Sequence, residues 1–160
     1  MKTIKITNMQ LLTDLGPSLN ELKAVKMNGK TTIRIVKTLN NVFAALNSYD
    51  ATRKSLIEIY VERDEKGNLV TQQSESGLVY KFKSEEDTKK AAEVVNAIAN
   101  EEVSIDIFPI TEEEVEAISE ISVDVVGRLA KYDFILVDKS KQEEKREDLK
   151  AELRQIVDQE

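Results

Sequence analysis

The sequence predicts a predominantly helical α+β fold: two long antiparallel helices with a small sheet of about three short strands at one end. Three observations predict it. From Thr31 to Asp64 about 34 residues run without Gly or Pro, and apolar residues recur at three- and four-residue steps. From Thr111 onward a second apolar stripe is spaced 3-4-3-4, the repeat of helices that pack side by side. Three short segments alternate apolar and polar residues, as half-buried strands do.

Each element follows in order. Lys2–Thr7 alternates, with Ile4 and Ile6 on one face. Asn8 stands where it can cap a helix through Met9–Leu15, which Gly16-Pro17 interrupts or kinks, and Pro17 suits the first turn of a continuation over Ser18–Met27. Asn28-Gly29 marks a turn, and Thr31 or Thr32 can cap the first long helix. Its stripe is Ile35/Val36, Leu39, Val42/Phe43, Leu46, Tyr49, Leu56/Ile57 and Tyr60. Such a helix spans about 50 Å, more than a compact small domain needs, which points to scaffolding or a partner. Gly67 closes the run, and the polar stretch Thr71–Gly77 predicts a mobile loop. Leu78–Lys83 alternates again, with Leu78, Tyr80 and Phe82 expected inward.

Ser84 and Asp87 resemble a capping box for a helix carrying Ala91, Val94/Val95 and Ile98. Val103, Ile105 and Ile107 form the third strand, stopped by Pro109. Thr111 and Glu114 make a full capping box opening the second long helix, whose stripe is Val115, Ile118, Ser122, Val125, Leu129, Tyr132 and Leu136. Residues 1–138 thus read as one helical α+β domain. Residues 139–160 read as a charged amphipathic helix or tail.

Composition excludes whole classes of chemistry. There is no Cys, no His and no Trp, so Ser-His-Asp triads, Cys-His pairs, HExxH zinc sites and disulfides are ruled out. Carboxylates, Lys, Tyr, Ser and Thr remain. Glu112, Glu113 and Glu114 are consecutive, and helical neighbours point about 100° apart, so the triplet serves a helix start better than a cation. No catalytic residue, cofactor or metal is expected. Lys23, Lys26, Lys30, Arg34 and Lys37 form a basic stretch without interleaved aromatics in an acidic chain, which argues against direct nucleic-acid binding. No apolar run approaches membrane-spanning length, so the expected setting is the host-cell cytoplasm, with incorporation into a virion as the other. Residues 1–83 carry 13 basic against 8 acidic side chains, and residues 84–160 carry 10 against 22. That asymmetry favours self-association or a partner of mixed charge if folding preserves it.

Two places invite partner binding. The stripe on the first long helix thins between Asn47 and Ser55, where Arg53, with its neighbour Lys54, lies close to an apolar face. Arg53 can clamp a partner carboxylate, snorkel past the core edge, or pair internally with an acid such as Asp50. In the tail, Leu149, Leu153, Ile156 and Val157 are apolar among charges and are expected to dock, on the chain's own body or on another chain.

Three stretches carry a resemblance. The run TTIRIVKTLNNVFAALNSYDATRKSLIEIYVERDEKGN, together with NEEVSIDIFPIT and LAKYDFIL, resembles short proteins of unknown function from tailed bacteriophages and prophages of Gram-positive bacteria. In that group a similar R-I-x-K-x-L helix leads to an R-x-x-L-I-x-x-Y segment and an acidic, Gly-containing turn. The stretches cover about 60 residues, and the chain after Val137 departs from the pattern. The resemblance implies a non-enzymatic protein-interaction module, a virion-assembly or accessory component. Its partner would be a phage structural protein or a host protein, with a homo-oligomer as a further option. It brings no catalytic residues. The alternative, suggested by the acidic half, is an inhibitor or decoy that binds a host defence or nucleic-acid-binding protein.

Overall fold

The computed structural model describes residues 1–75, 77–118 and 120–136. The fold is mixed α+β and predominantly helical, with one helix of 30 residues and three small two-stranded sheets among the described residues. Residues 137–160, and with them Leu149, Leu153, Ile156 and the expected tail, lie outside them.

β1 (Lys2–Thr7) pairs antiparallel with β4 (Glu102–Ile107), placing Ile4 opposite Ile105 and Ile6 opposite Val103. Thr7, not Asn8, caps α1 (Asn8–Gln10): its hydroxyl accepts from Gln10 N, and Gln10 Oε1 accepts from Thr7 N. Asn8 is instead buried and donates to Ile98 O at 2.8 Å. A π-helical turn, Leu11–Leu15, then runs directly into α2 (Gly16–Lys23). The widened turn has a local cause. Pro17 lacks an N–H, and its ring would meet the Thr13 carbonyl in a regular helix. Opening one turn, with Gly16 N donating to Leu11 O, lets the chain pass Pro17 without stopping.

α3 (Gly29–Glu58) is capped by Asn28, whose side chain accepts from Thr31 N at 2.9 Å. The expected caps serve elsewhere: Thr31 is buried and its hydroxyl donates to Glu114. The helix also ends before Asp64. Ile59-Tyr60-Val61 are residues that favour extended backbone, and residues 60–63 find strand partners. Thr71–Gly77, expected to be a loop, is largely strand: β2 (Thr71–Ser74) pairs with β3 (Gly77–Tyr80) in a hairpin. TQQS has no apolar alternation, so backbone pairing alone makes the strand.

α4 (Glu85–Ala99) starts at Ser84 as expected, with Asp87 N donating to the Ser84 hydroxyl. It lies alongside the second half of α3, as α2 does along the first. Ile57 of α3 and Thr88 of α4 line one groove, while Ser48, Tyr49 and Ile98 line another, so the two helices run antiparallel. The second long helix expected from Thr111 to Leu136 is absent. β5 (Ile110–Thr111) leads into α5 (Glu112–Glu116), with the Thr111–Glu114 capping box in place, and α6 (Val123–Lys131) begins afresh after Ser122. Ser122, counted above as a stripe position, is an N-cap that accepts from Val125 N. Asp133, at φ 54°, then reverses the chain into β6 (Ile135–Leu136), parallel to β5. The three expected strands therefore belong to two different sheets.

One core gathers β1, the π-turn, α2, the first half of α3, β4 and the C-terminal elements. Ile6, Leu11, Leu15, Leu19, Leu22, Ile107, Ile110, Leu129 and Phe134 are among its largest fully buried members, joined by Ile35, Leu39 and Val42 of α3. Glu114 ties α3 to α5: it accepts from Thr111 N at 2.9 Å, Thr31 Oγ1 at 3.1 Å and Arg34 Nη1 at 2.7 Å. Beyond Leu46, α3 has no fully buried residue, so its second half extends past the core with α4 alongside.

Candidate functional site

The extension ends in a small three-segment knot. Glu62 N donates to Lys81 O at 2.8 Å, Val70 N to Glu62 O at 2.9 Å, Lys81 N to Val70 O at 2.9 Å, and Lys83 N to Tyr60 O at 3.1 Å. Val61 sits at its centre, fully buried and bridged to Phe82. The turn below is held by Asp64, whose carboxylate accepts from Lys66 N, Asn68 N and Asn68 Nδ2. The Asn68 bonds come first in holding that carboxyl below its ordinary pKa. Gly67, at φ 83°, supplies the left-handed residue this turn requires.

Ile59, Leu78 and Val79 are the exposed large apolar side chains of this distal end, with others, such as Val123 and Ile33, elsewhere on the surface. Leu78 is 74% exposed and Ile59 59% exposed. Leu78 was expected to face inward with Tyr80 and Phe82. Its cross-strand partner is Gln73, Val79 faces Gln72 and Tyr80 faces Thr71, so β2 offers no apolar cover. Beneath the hairpin, Ile57, Leu78, Val79, Tyr80 and Phe82 line an open groove of about 940 Å³ that reaches Ser84 and Thr88 at the start of α4. β2 and β3 form a two-stranded sheet, so each has one outer edge outside the pair, the arrangement that accepts an added strand.

Several charges around the groove are paired, though Lys83 meets only a carbonyl and Glu85 has no ion pair among those of the described residues. Lys81 pairs with Glu62 at 2.7 Å, Arg63 with Glu58 at 3.5 Å and Lys90 with Glu86 at 2.6 Å, while Lys83 Nζ donates to Ile59 O. Exposed pairs of this kind add about 0–1 kcal/mol each to stability.

Arg53 and Lys54 both turn to Asp50, at 2.9 and 2.8 Å. The internal pairing weighed for Arg53 is thus the one observed. Hydrogen bonds from Lys54 and then Arg53 hold the Asp50 carboxyl below its usual pKa, and the same carboxylate raises that of Lys54. The two cations diverge otherwise. Arg53 borders a cleft of about 380 Å³ with Leu12, Leu46 and Tyr49, which Lys54 does not line. Neither lines the large groove. Leu78 was expected to face inward, and neither it nor Val79 nor Ile59 was read as a binding residue; for Leu78 and Val79 the signal available was the all-polar stretch Thr71–Ser74 that pairs with them.

Elsewhere, a cleft of about 170 Å³ between α2 and the start of α6 holds Glu21 and Glu120, but Glu21 is paired with Arg128 and the volume is below that of ordinary ligand pockets. Among the described residues no group of three or more acidic side chains converges on a metal position. No described helix is long and apolar enough to cross a membrane. Compared with family models, curated proteins and solved structures, the chain matches none.

Proposed function

We propose that this chain is a non-enzymatic protein-interaction module of phage or prophage origin, a virion-assembly or accessory component that engages its partner through the distal end of the α3–α4 pair. The observation that carries the reading is the pairing of exposed Leu78 and Ile59 with an apolar groove, on an end that contributes nothing to the main core. Large apolar side chains that stabilise no fold of their own mark a surface made for another molecule. Arg63, Lys81 and Lys90 are each already paired with a glutamate, which suits an apolar segment of a protein partner better than a nucleic acid, whose phosphates require unpaired cations. The phage origin rests on the resemblance of residues 31–68, 100–111 and 129–136.

The decoy reading has less support. It needs an unbroken acidic surface, yet Arg34 pairs with Glu114 and Lys2 with Asp133, bringing basic residues of the first half against acids of the second.

Photo-crosslinking tests the proposal. A benzophenone side chain is placed at Leu78, at Ile59 and, as a control on the head, at Lys5, in cells carrying the parent phage or prophage. The same protein should be captured from the first two positions and not from the third. Identical adducts from all three, or none from the tip, would sink the reading.

A further inference from the structure

The outer face of α3 is unusual for a helix in water. Between Lys37 and Asp50 the helix carries no charged side chain, although solvated helices normally place charges on their outer face. Ile33 is 57% exposed, and Val36 and Phe43 are each 39% exposed. With Asn40 and Asn47, both exposed, these residues fall at steps of three and four and make one stripe about 21 Å long. Two other faces are occupied: Ile35, Leu39 and Val42 enter the core, while Thr38 accepts from Phe108 N and Asn41 donates to Asp106 O.

We infer that the chain's own C-terminal segment, through Leu149, Leu153 and Ile156, docks along this stripe. Two arguments select that occupant. The first is where the described chain ends. Leu136 pairs with Thr111, the cap of α5, and Glu114 in α5 is bonded to Thr31 and Arg34, so the chain leaves beside the first turns of α3. The twelve residues 137–148 span about 18 Å as helix or about 40 Å extended, enough in either form to bring Leu149 to Val36 or Phe43. The second is mass action. A tether of that length gives the segment an effective concentration on the order of millimolar, above what a second copy or foreign partner reaches in dilute solution. The 4-3 spacing of Leu149, Leu153 and Ile156 matches the stripe's own steps. This inference is independent of the tip, and it assigns the apolar residues of the C-terminal segment to the chain itself.

The absence of Cys from the sequence makes a clean test. In the full chain, Phe43→Cys introduces a single thiol, and its maleimide alkylation is timed with and without Leu153→Asp and Ile156→Asp. Docking should slow alkylation at least about tenfold, with the two aspartates restoring the fast rate. Equal rates in both chains overturn the inference. Protection should also stay constant from about 1 to about 100 µM protein, below the effective concentration of the tether. Protection that grows with concentration overturns it in favour of a second copy. Val36→Cys is the second probe, so the outcome does not hang on one substitution.

Discussion

Replacing Glu114 separates its charge pairing with Arg34 from its hydrogen bonds to Thr111 N and Thr31. Its side chain is 15% exposed and that of Arg34 30%, so their pair at 2.7 Å is better shielded than a surface ion pair but is not buried outright. Glu114→Gln removes the charge and keeps one acceptor oxygen, which serves Thr111 N, while its amide NH2 takes the place of the oxygen at Thr31 and donates to that hydroxyl instead of accepting from it. A charge-assisted bond contributes about 1.5–3 kcal/mol and a neutral one about 0.5–1.5, so the expected loss is about 1–1.5 kcal/mol. Glu114→Ala also removes the capping acceptor, about 1 kcal/mol, and leaves the Thr31 hydroxyl without its partner, for a total of about 3 kcal/mol. In a chain of this size those losses lower Tm by about 4 °C and about 9 °C.

The pH dependence adds a second check. Burial opposes ionisation of Glu114, but the Thr111 and Thr31 hydrogen bonds and the Arg34 charge outweigh it and hold its pKa below the ordinary value. A carboxyl depressed in the folded state stabilises fully above its unfolded pKa, about 4.3, and that stability is lost as pH falls through the folded value. Urea unfolding should therefore show a constant gap between wild type and Glu114→Gln from about pH 5 to 7, closing below about pH 4. A Gln variant as stable as wild type at pH 7 would refute the ion-pair argument. A gap that persists in acid would show that the loss is steric.

Other expectations follow from the same geometry. Gly16→Ala places a Cβ 2.8 Å from Leu11 O, a backbone atom in the π-turn, and should cost about 1–3 kcal/mol by denaturant titration. Leu39→Ala, in the core, should cost about 2–5 kcal/mol, whereas Leu78→Ser at the tip should stay within about 0.5 kcal/mol of wild type. Similar losses at both sites would contradict a core confined to the head. Asp50→Asn removes the carboxylate that raises the pKa of Lys54, so that pKa should fall when followed by NMR titration, with Tm nearly unchanged.

Local chemistry was legible where one segment decides its own structure. The alternation of Ile4 and Ile6, the Ser84 and Thr111 caps, the start of β4 and the long run of α3 are properties of neighbouring residues, and the sequence alone determined them. The candidate site was less legible. Arg53 and Lys54 were noticed because charge near an apolar stripe stands out, yet Asp50, within one turn, absorbs both.

Only the tertiary structure decided what depends on distant partners. The 3-4-3-4 stripe after Thr111 is real, but Val115, Ile118, Val125 and Leu129 pack on a core built from several elements rather than along one straight helix, and the chain recaps at Ser122 and turns at Asp133. TQQS becomes a strand because its backbone finds β3, and Leu78 is left exposed because the residue opposite is Gln73. Periodicity records which residues seek cover. It does not record what covers them, and at the tip of α3 and along its outer face that difference is where a partner is sought.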